Sequence, residues 1–84
     1  MKHQYVLPIE VEWQPEGIYY AECPLIPGCH VEAETLPEVF EYIEDAARNL
    51  LEFRREHGLP LPEGLKGLDE HAVLHAEIPV TLES

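Results

Sequence analysis

The chain has 84 residues, the length of one small domain, and such a domain buries only about 60–65% of its unfolded surface, so self-association is expected to help stabilise it. Five basic and seventeen acidic side chains give a net charge of −12, which disfavours nucleic-acid binding because Lys and Arg must neutralise phosphates. No apolar run reaches the length of about 18 residues that a membrane-spanning helix needs, and the N-terminus lacks a signal-peptide pattern, so the sequence indicates a cytoplasmic protein.

The first element is predicted to be a strand over residues 5–13. Apolar side chains from Tyr5 to Trp13 occupy every second position, which is typical of a strand with one apolar face. Pro8 lacks a backbone donor, so this strand should have a free edge or a bulge there. Turn-forming residues at 14–17 then lead into the next strand, and the pair is predicted to be a hairpin.

The second strand is predicted over residues 18–23, and the pattern does not decide which of its faces is buried. Either Ile18 and Tyr20 face the core, or Tyr19, Ala21 and Cys23 do. In both cases an aromatic side chain is left on the opposite face. An exposed aromatic there would mark an interface.

A Pro- and Gly-rich loop over residues 24–28 is followed by a short third strand, which completes an antiparallel meander. Cys23 and Cys29 flank this loop and are close enough in principle for a disulfide. Free thiols are the expectation in a reducing cytoplasm, with Cys29 packed as a small apolar residue.

A helix of about six turns is predicted next. Thr35 and Glu38 form a capping-box pattern at its start, and Gly58 with Pro60 ends it. Apolar residues at three- and four-residue spacing define one face: Leu36, Val39, Phe40, Ile43, Ala46, Ala47, Leu50 and Phe53. Most of the chain's seven aromatic side chains are expected in the core, with some available for a homotypic interface.

The last element is predicted to be a strand over residues 72–83, after a connection over residues 58–69. Its alternation of apolar and polar positions is the cleanest in the chain. The order β-β-β-α-β predicts a two-layer α+β fold, in which one helix covers one face of a four-stranded sheet. By a right-handed crossover the last strand should lie beside the first.

The opposite sheet face has no intramolecular cover in this topology. Its positions are largely acidic, and it either faces water, as antiparallel sheets can, or binds a partner. The candidate partner-binding residues are Glu10, Glu12, Glu32, Glu34 and Glu77. His30, His75 and the apolar Val6 and Val73 also belong to this face.

Catalysis and metal binding are not expected from the sequence. A metal nuclease needs carboxylates that converge on Mg²⁺. Glu10, Glu12 and Glu32 could approach one another on neighbouring strands, but no specific motif includes them. His71 and His75 lie four residues apart, which in a strand separates them by about 13 Å and excludes a shared metal. We therefore predict no catalytic residue, no metal and no cofactor.

The middle of the chain resembles the HicB-like family, the antitoxin-type domain of HicA–HicB toxin–antitoxin systems, also found as short stand-alone proteins. The resemblance covers residues 5–62. It rests on a Gly-Tyr-Tyr-like strand (Gly17, Ile18, Tyr19, Tyr20), a Pro-x-x-Pro-Gly-Cys loop (Pro24, Pro27, Gly28, Cys29), a Thr-x-x-Glu helix start (Thr35, Glu38) and a Gly-x-Pro-x-Pro tail (Gly58, Pro60, Pro62). Leu25 stands where the family usually has an acidic residue, and Ala33 where it has glycine.

The resemblance implies a partial RNase H-like fold and a partner, a small basic RNA-cleaving toxin. Longer family members append a DNA-binding segment, whereas this chain ends at Ser84 after the predicted last strand, so we expect a single HicB-like domain over residues 1–84. The expectation is a non-catalytic, homo-oligomeric antitoxin-type protein. The alternatives are a stand-alone oligomer without a toxin partner and, less favoured, a metal-dependent nuclease.

Overall fold

The computed structural model describes residues 4–68, 71, 73–78, 80 and 82. The elements in chain order are β1 (Tyr5–Val6), β2 (Glu10–Trp13), β3 (Tyr19–Glu22), β4 (His30–Ala33), α1 (Leu36–Glu56) and β5 (Lys66–Gly67). Strands and one long helix together confirm the predicted α+β class.

The meander predicted from the sequence is an antiparallel three-stranded sheet in the order β2-β3-β4. The turn between β2 and β3 is closed by the Gln14 amide, which donates to the Ile18 carbonyl at 2.7 Å. Gly17 in that turn has φ +84°, a left-handed conformation that glycine adopts without steric cost. The helix packs on one face of β3 and β4.

The predicted first strand is divided around Pro8 into β1 and β2, which belong to different sheets, where the sequence predicted one strand with a free edge or a bulge. Its N-terminal part, β1, pairs antiparallel with β5, so that Tyr5 lies opposite Gly67. The connection predicted over residues 58–69 contains a short strand that the sequence did not predict, because Lys66 and Gly67 pair with β1 there. The Leu68 amide extends this pairing by donating to the Gln4 carbonyl at 2.8 Å.

The predicted four-stranded sheet is not present in the described part of the chain. Residues 73–78, 80 and 82 form no strand, and the other positions of the predicted last strand lie outside the described residues. β1, beside which this strand was expected, is paired with β5 instead. Within the described residues the architecture is therefore one three-stranded sheet, one two-stranded sheet and one helix.

The helix begins and ends as its sequence predicts. The Glu38 amide donates to Thr35 Oγ1 at 3.3 Å. The Thr35 hydroxyl donates to Glu38 Oε1 at 2.8 Å, so the carboxylate binds the hydroxyl rather than the backbone amide that a capping box predicts. Beyond the helix Gly58 adopts φ +67°. No helix in the described ranges has both the length and the apolar character needed to cross a membrane.

The core is built from small and aliphatic side chains. It consists of Ala21, Cys23, Ile26, Cys29, Ala33, Val39, Ile43 and Ala47. The expectation of an aromatic core is wrong: Phe40 and Phe53 of the predicted buried helix face are 48% and 52% exposed, and Trp13 is 60% exposed. The buried helical stripe is narrow, with one residue per turn at Val39, Ile43 and Ala47, and Phe40 lies beside it.

Candidate protein-binding face

The burial of β3 decides which of its faces is open. Ala21 is fully buried and Cys23 is 1% exposed, so the odd-numbered residues of this strand face the helix. Because successive side chains of a strand point to opposite faces, Tyr20 and Glu22 lie on the face that the helix leaves open. This is the alternative in which an aromatic residue occupies the open face.

The strand register groups six polar and aromatic residues on this surface, which we call the acidic face. Two cross-strand rows form it, one of Glu12, Tyr20 and Glu32, the other of Glu10, Glu22 and His30. Directly opposite residues in antiparallel strands have Cβ atoms about 4.5–5.5 Å apart. Four carboxylates therefore surround one tyrosine and one histidine.

Tyr20 is the centre of the acidic face. Its ring stacks on the imidazole of His30, with ring centroids 6.1 Å apart and an angle of 27° between the planes. Burial raises the pKa of the Tyr20 hydroxyl, and the carboxylates of Glu22, Glu32 and Glu12 raise it further. The negative potential of both rows thus acts on this side chain.

The surface around Tyr20 is concave. An open depression of about 460 Å³ is lined by Glu12, Gln14, Glu16, Ile18, Tyr20 and Glu32. The three strands contain no Lys or Arg, so no permanently charged cation on them neutralises the carboxylates. This arrangement suits a basic protein surface, since the aromatic ring offers a contact for a cation and the surrounding carboxylates accept its hydrogen bonds.

The structure brings together three of the five predicted partner-binding residues. Glu10, Glu12 and Glu32 share the acidic face. Glu34 lies beyond the end of β4, near Tyr42 of the helix, whose pKa is raised mainly by Glu38 and to a smaller extent by Glu34. Glu77 is exposed and outside both sheets.

Sequence reasoning did not select Tyr20 and Glu22, although a signal for them was present. Ala21 and Cys23 are both small residues of types that are often fully buried. They are two positions apart, so their side chains lie on the same face of the strand. Giving that pair more weight would have put Tyr20 and Glu22 on the open face. The consecutive large apolar residues Ile18, Tyr19 and Tyr20 concealed the choice, because they occupy both faces of the strand.

The described residues contain no group of three His, Cys, Asp or Glu side chains arranged to hold a metal ion. Glu10, Glu12 and Glu32 share a face, but their carboxylates are not arranged to bind one metal ion together. The strand spacing that separated His71 from His75 in the sequence prediction does not apply, because the described residues around them form no strand.

The two cysteines face each other at the base of the loop between β3 and β4, and both are free thiols. The Cys23 amide donates to the Cys29 carbonyl at 2.9 Å. Burial raises the pKa of the Cys29 thiol, and the neighbouring Cys23 adds to the effect. Both side chains pack as apolar groups in the core, beneath the acidic face.

Fold and surface together define a small α+β protein with an uncovered acidic sheet face. No family model matches the chain. It is 34% identical over 47 residues to a UPF0150 protein of Archaeoglobus fulgidus, an alignment that covers 56% of this chain and 68% of that protein. It is 29% identical over 62 residues to a UPF0150 protein of Synechocystis sp., covering 74% and 78% of the two chains. The chain belongs to the UPF0150 family.

Proposed function

We propose that this protein is a HicB-like, antitoxin-type binding module that neutralises a small basic RNA-cleaving toxin without catalysing a reaction. The UPF0150 family includes HicB-like antitoxin-type small proteins. The motifs of the strand, loop and helix start in this chain resemble the same family. Membership in the UPF0150 family supports the general class, a small antitoxin-type protein. The acidic face supplies a candidate binding surface.

The observation that carries the proposal is the pair of carboxylate rows around Tyr20 on a sheet face whose strands contain no Lys or Arg. A net charge of −12 attracts a basic partner over distance and speeds the encounter. The final contact needs a local feature, which the Tyr20 ring and its depression provide. Aromatic residues near the centre of an interface often contribute most of its affinity.

Neutralisation in this proposal is steric and electrostatic. An RNA-cleaving protein binds phosphates through Lys and Arg. The carboxylates of Glu12 and Glu32 would pair with those cations, and the guanidinium of an Arg would stack on Tyr20. The surface through which the toxin binds RNA is then covered, and the antitoxin does not need to catalyse a reaction.

The test combines capture with protection from toxicity. Tagged wild-type protein is used at low salt to capture small basic proteins from its own cells, and each captured protein is coexpressed with it in a growth assay. We expect capture of an RNA-cleaving protein and restored growth. The double variant E12Q/E32Q should lose both, whereas E56Q/E63Q, with the same charge change outside the acidic face, should retain both.

Two results would count against this function. One is the absence of any small basic protein among those captured, together with no protection from RNA cleavage. The other is an equal loss of binding in both double variants, which would mean that total charge rather than the acidic face determines binding. A stand-alone oligomer without a toxin is the second candidate, and the exposed apolar residues near the C-terminus favour it.

A further inference from the structure

The C-terminal segment, residues 72–83, exposes apolar side chains that no described element covers. Its large apolar side chains are exposed to the following extents: Val73 75%, Leu74 64%, Ile78 77%, Val80 71% and Leu82 89%. Isolated apolar residues at a surface are ordinary, but contiguous ones mark an interaction site. Five within ten residues make this segment the most concentrated apolar exposure in the described part of the chain.

Four of these residues have the spacing of one strand face. Leu74, Ile78, Val80 and Leu82 all lie at even positions, and we call them the apolar stripe. In a strand they would point to the same side. The odd positions carry Val73, His75, Glu77, Pro79, Thr81 and Glu83, of which four are polar and suit solvent. The segment therefore has the pattern of a strand with one buried face, yet residues 73–78, 80 and 82, the part of it that the structure describes, form no strand in the single chain.

The single chain also exposes more surface than its mass predicts. Its accessible surface is 7076 Å², whereas a compact monomer of this mass exposes about 5,100 Å². Its radius of gyration is 14.7 Å, against about 12 Å for a compact domain of this length. The excess of roughly 2,000 Å² is larger than the area of about 800 Å² that each partner buries in a standard interface.

A cleft that is apolar, like the apolar stripe, lies between β1 and the helix. It has a volume of about 400 Å³. Its apolar lining consists of Tyr5, Leu7, Ala47, Leu51, Leu61 and Leu68. At its rim Arg48 and Arg55 balance Glu44 and Glu52, so this part of a strongly acidic protein does not repel an acidic segment.

We propose that the C-terminal segment of one copy docks its apolar stripe into the cleft of a second copy, and that the exchange is reciprocal. A single chain leaves both the apolar stripe and the cleft uncovered. In a pair of copies, each stripe would fill the cleft of the other copy, so both stripes and both clefts would be covered. Such an exchange gives a closed two-fold dimer with no open end. This proposal goes beyond the toxin-binding function and does not depend on it, because the acidic face lies on a different part of the molecule.

Four single variants test which residues make the contact. I78E places a charge in the apolar stripe and L61E places one in the cleft, and each should weaken dimerisation about tenfold or more, since an unpaired buried charge is costly. V73E, on the other face of the segment, and L59E, a nearby exposed leucine outside the cleft, are the matched controls and should leave dimerisation unchanged.

Sedimentation equilibrium gives the masses, and circular dichroism confirms that each variant is folded. The wild-type mass should be twice that of the 9.6 kDa chain. A wild-type monomer at all concentrations overturns the proposal, and so does a dimer that I78E and L61E leave intact. Equal weakening by V73E and I78E overturns the assignment of the stripe.

Isotope-filtered NMR on wild-type protein separates exchange from back-folding without relying on any variant. A mixture of ¹³C-labelled and unlabelled copies should show contacts between the methyl groups of Ile78 or Val80 in one copy and Leu51 or Leu61 in the other. Contacts confined to single copies would show that the segment covers its own cleft, which contradicts the proposal.

Discussion

Tyr20 is the residue on which the carboxylates of the acidic face act directly. Burial and three carboxylates raise its pKa above the ordinary value of 10.0. The folded protein therefore holds the Tyr20 proton more tightly than the unfolded chain does. The associated stability is fully present below the unfolded-state pKa and is lost as pH rises through the higher folded-state pKa.

Replacing Glu32 by Gln should lower the pKa of Tyr20 towards its ordinary value, because one of the surrounding negative charges is removed. The Tyr20 ring resonances, followed by NMR between about pH 8 and 12, measure this shift. E56Q, at the end of the helix, is the control and should leave the titration of Tyr20 unchanged. An identical Tyr20 titration in E32Q and wild type would place Glu32 away from the acidic face.

The two buried thiols should react slowly in the folded protein. Only a thiolate attacks a disulfide reagent, and burial both raises the pKa of Cys29 and blocks access to it. With a chromogenic disulfide reagent at about pH 8, we expect almost no reaction before unfolding and two thiols in urea. Rapid reaction of the native protein would mean that the loop between the cysteines opens readily.

At the residue level, sequence reasoning succeeded where side chains alternate and failed where they do not. Glu10, Glu12 and Glu32 were placed on one face because a strand repeats every two residues. Ile26 is 2% exposed but lies in the loop over residues 24–28, where no period exists to reveal it. The Ile26 amide donates to the Cys23 carbonyl at 3.2 Å, a local turn that directs this side chain into the core.

Among the secondary-structure elements, the start of the helix offers the clearest test. Thr35 Oγ1 accepts from the Glu38 amide and satisfies a donor that has no partner inside the helix. T35A should lower the free energy of unfolding by about 1 kcal/mol, measured by urea denaturation. T35S keeps the hydroxyl and is the control. Equal loss in both variants would show that the threonine methyl group, rather than the cap, provides the stability.

Elements with strong local signals were predicted well, and elements that depend on distant partners were not. The helix and the meander each combine periodic apolar residues with turn or cap residues, so local interactions define them. β5 consists of Lys66 and Gly67, and nothing in those two residues favours a strand. They pair with β1 across about sixty residues of chain, an arrangement that only the tertiary structure determines. The segment after β5 has the opposite character: its sequence has a strong strand pattern, but its described residues, 73–78, 80 and 82, form no strand in the single chain.

For the whole molecule, the net charge of −12 acts in opposite senses on the two proposed interactions. A basic toxin is attracted to the protein, whereas a second copy of the same chain is repelled. The cleft is lined by apolar residues, and the charges of two arginines and two glutamates at its rim cancel. Its contribution to dimerisation is therefore mainly hydrophobic. The repulsion between two acidic chains opposes this contribution at low ionic strength.

Salt should therefore change the two affinities in opposite directions. Raising NaCl from about 0.02 to 0.3 M shortens the Debye length from roughly 20 Å to about 6 Å. Binding of a basic partner should weaken over this range, while dimerisation should strengthen. Calorimetry measures the first and sedimentation the second. E12Q/E32Q should reduce the salt dependence of partner binding more than E56Q/E63Q does. Dimerisation that weakens with salt would show that ion pairs, rather than the apolar stripe, join the two copies.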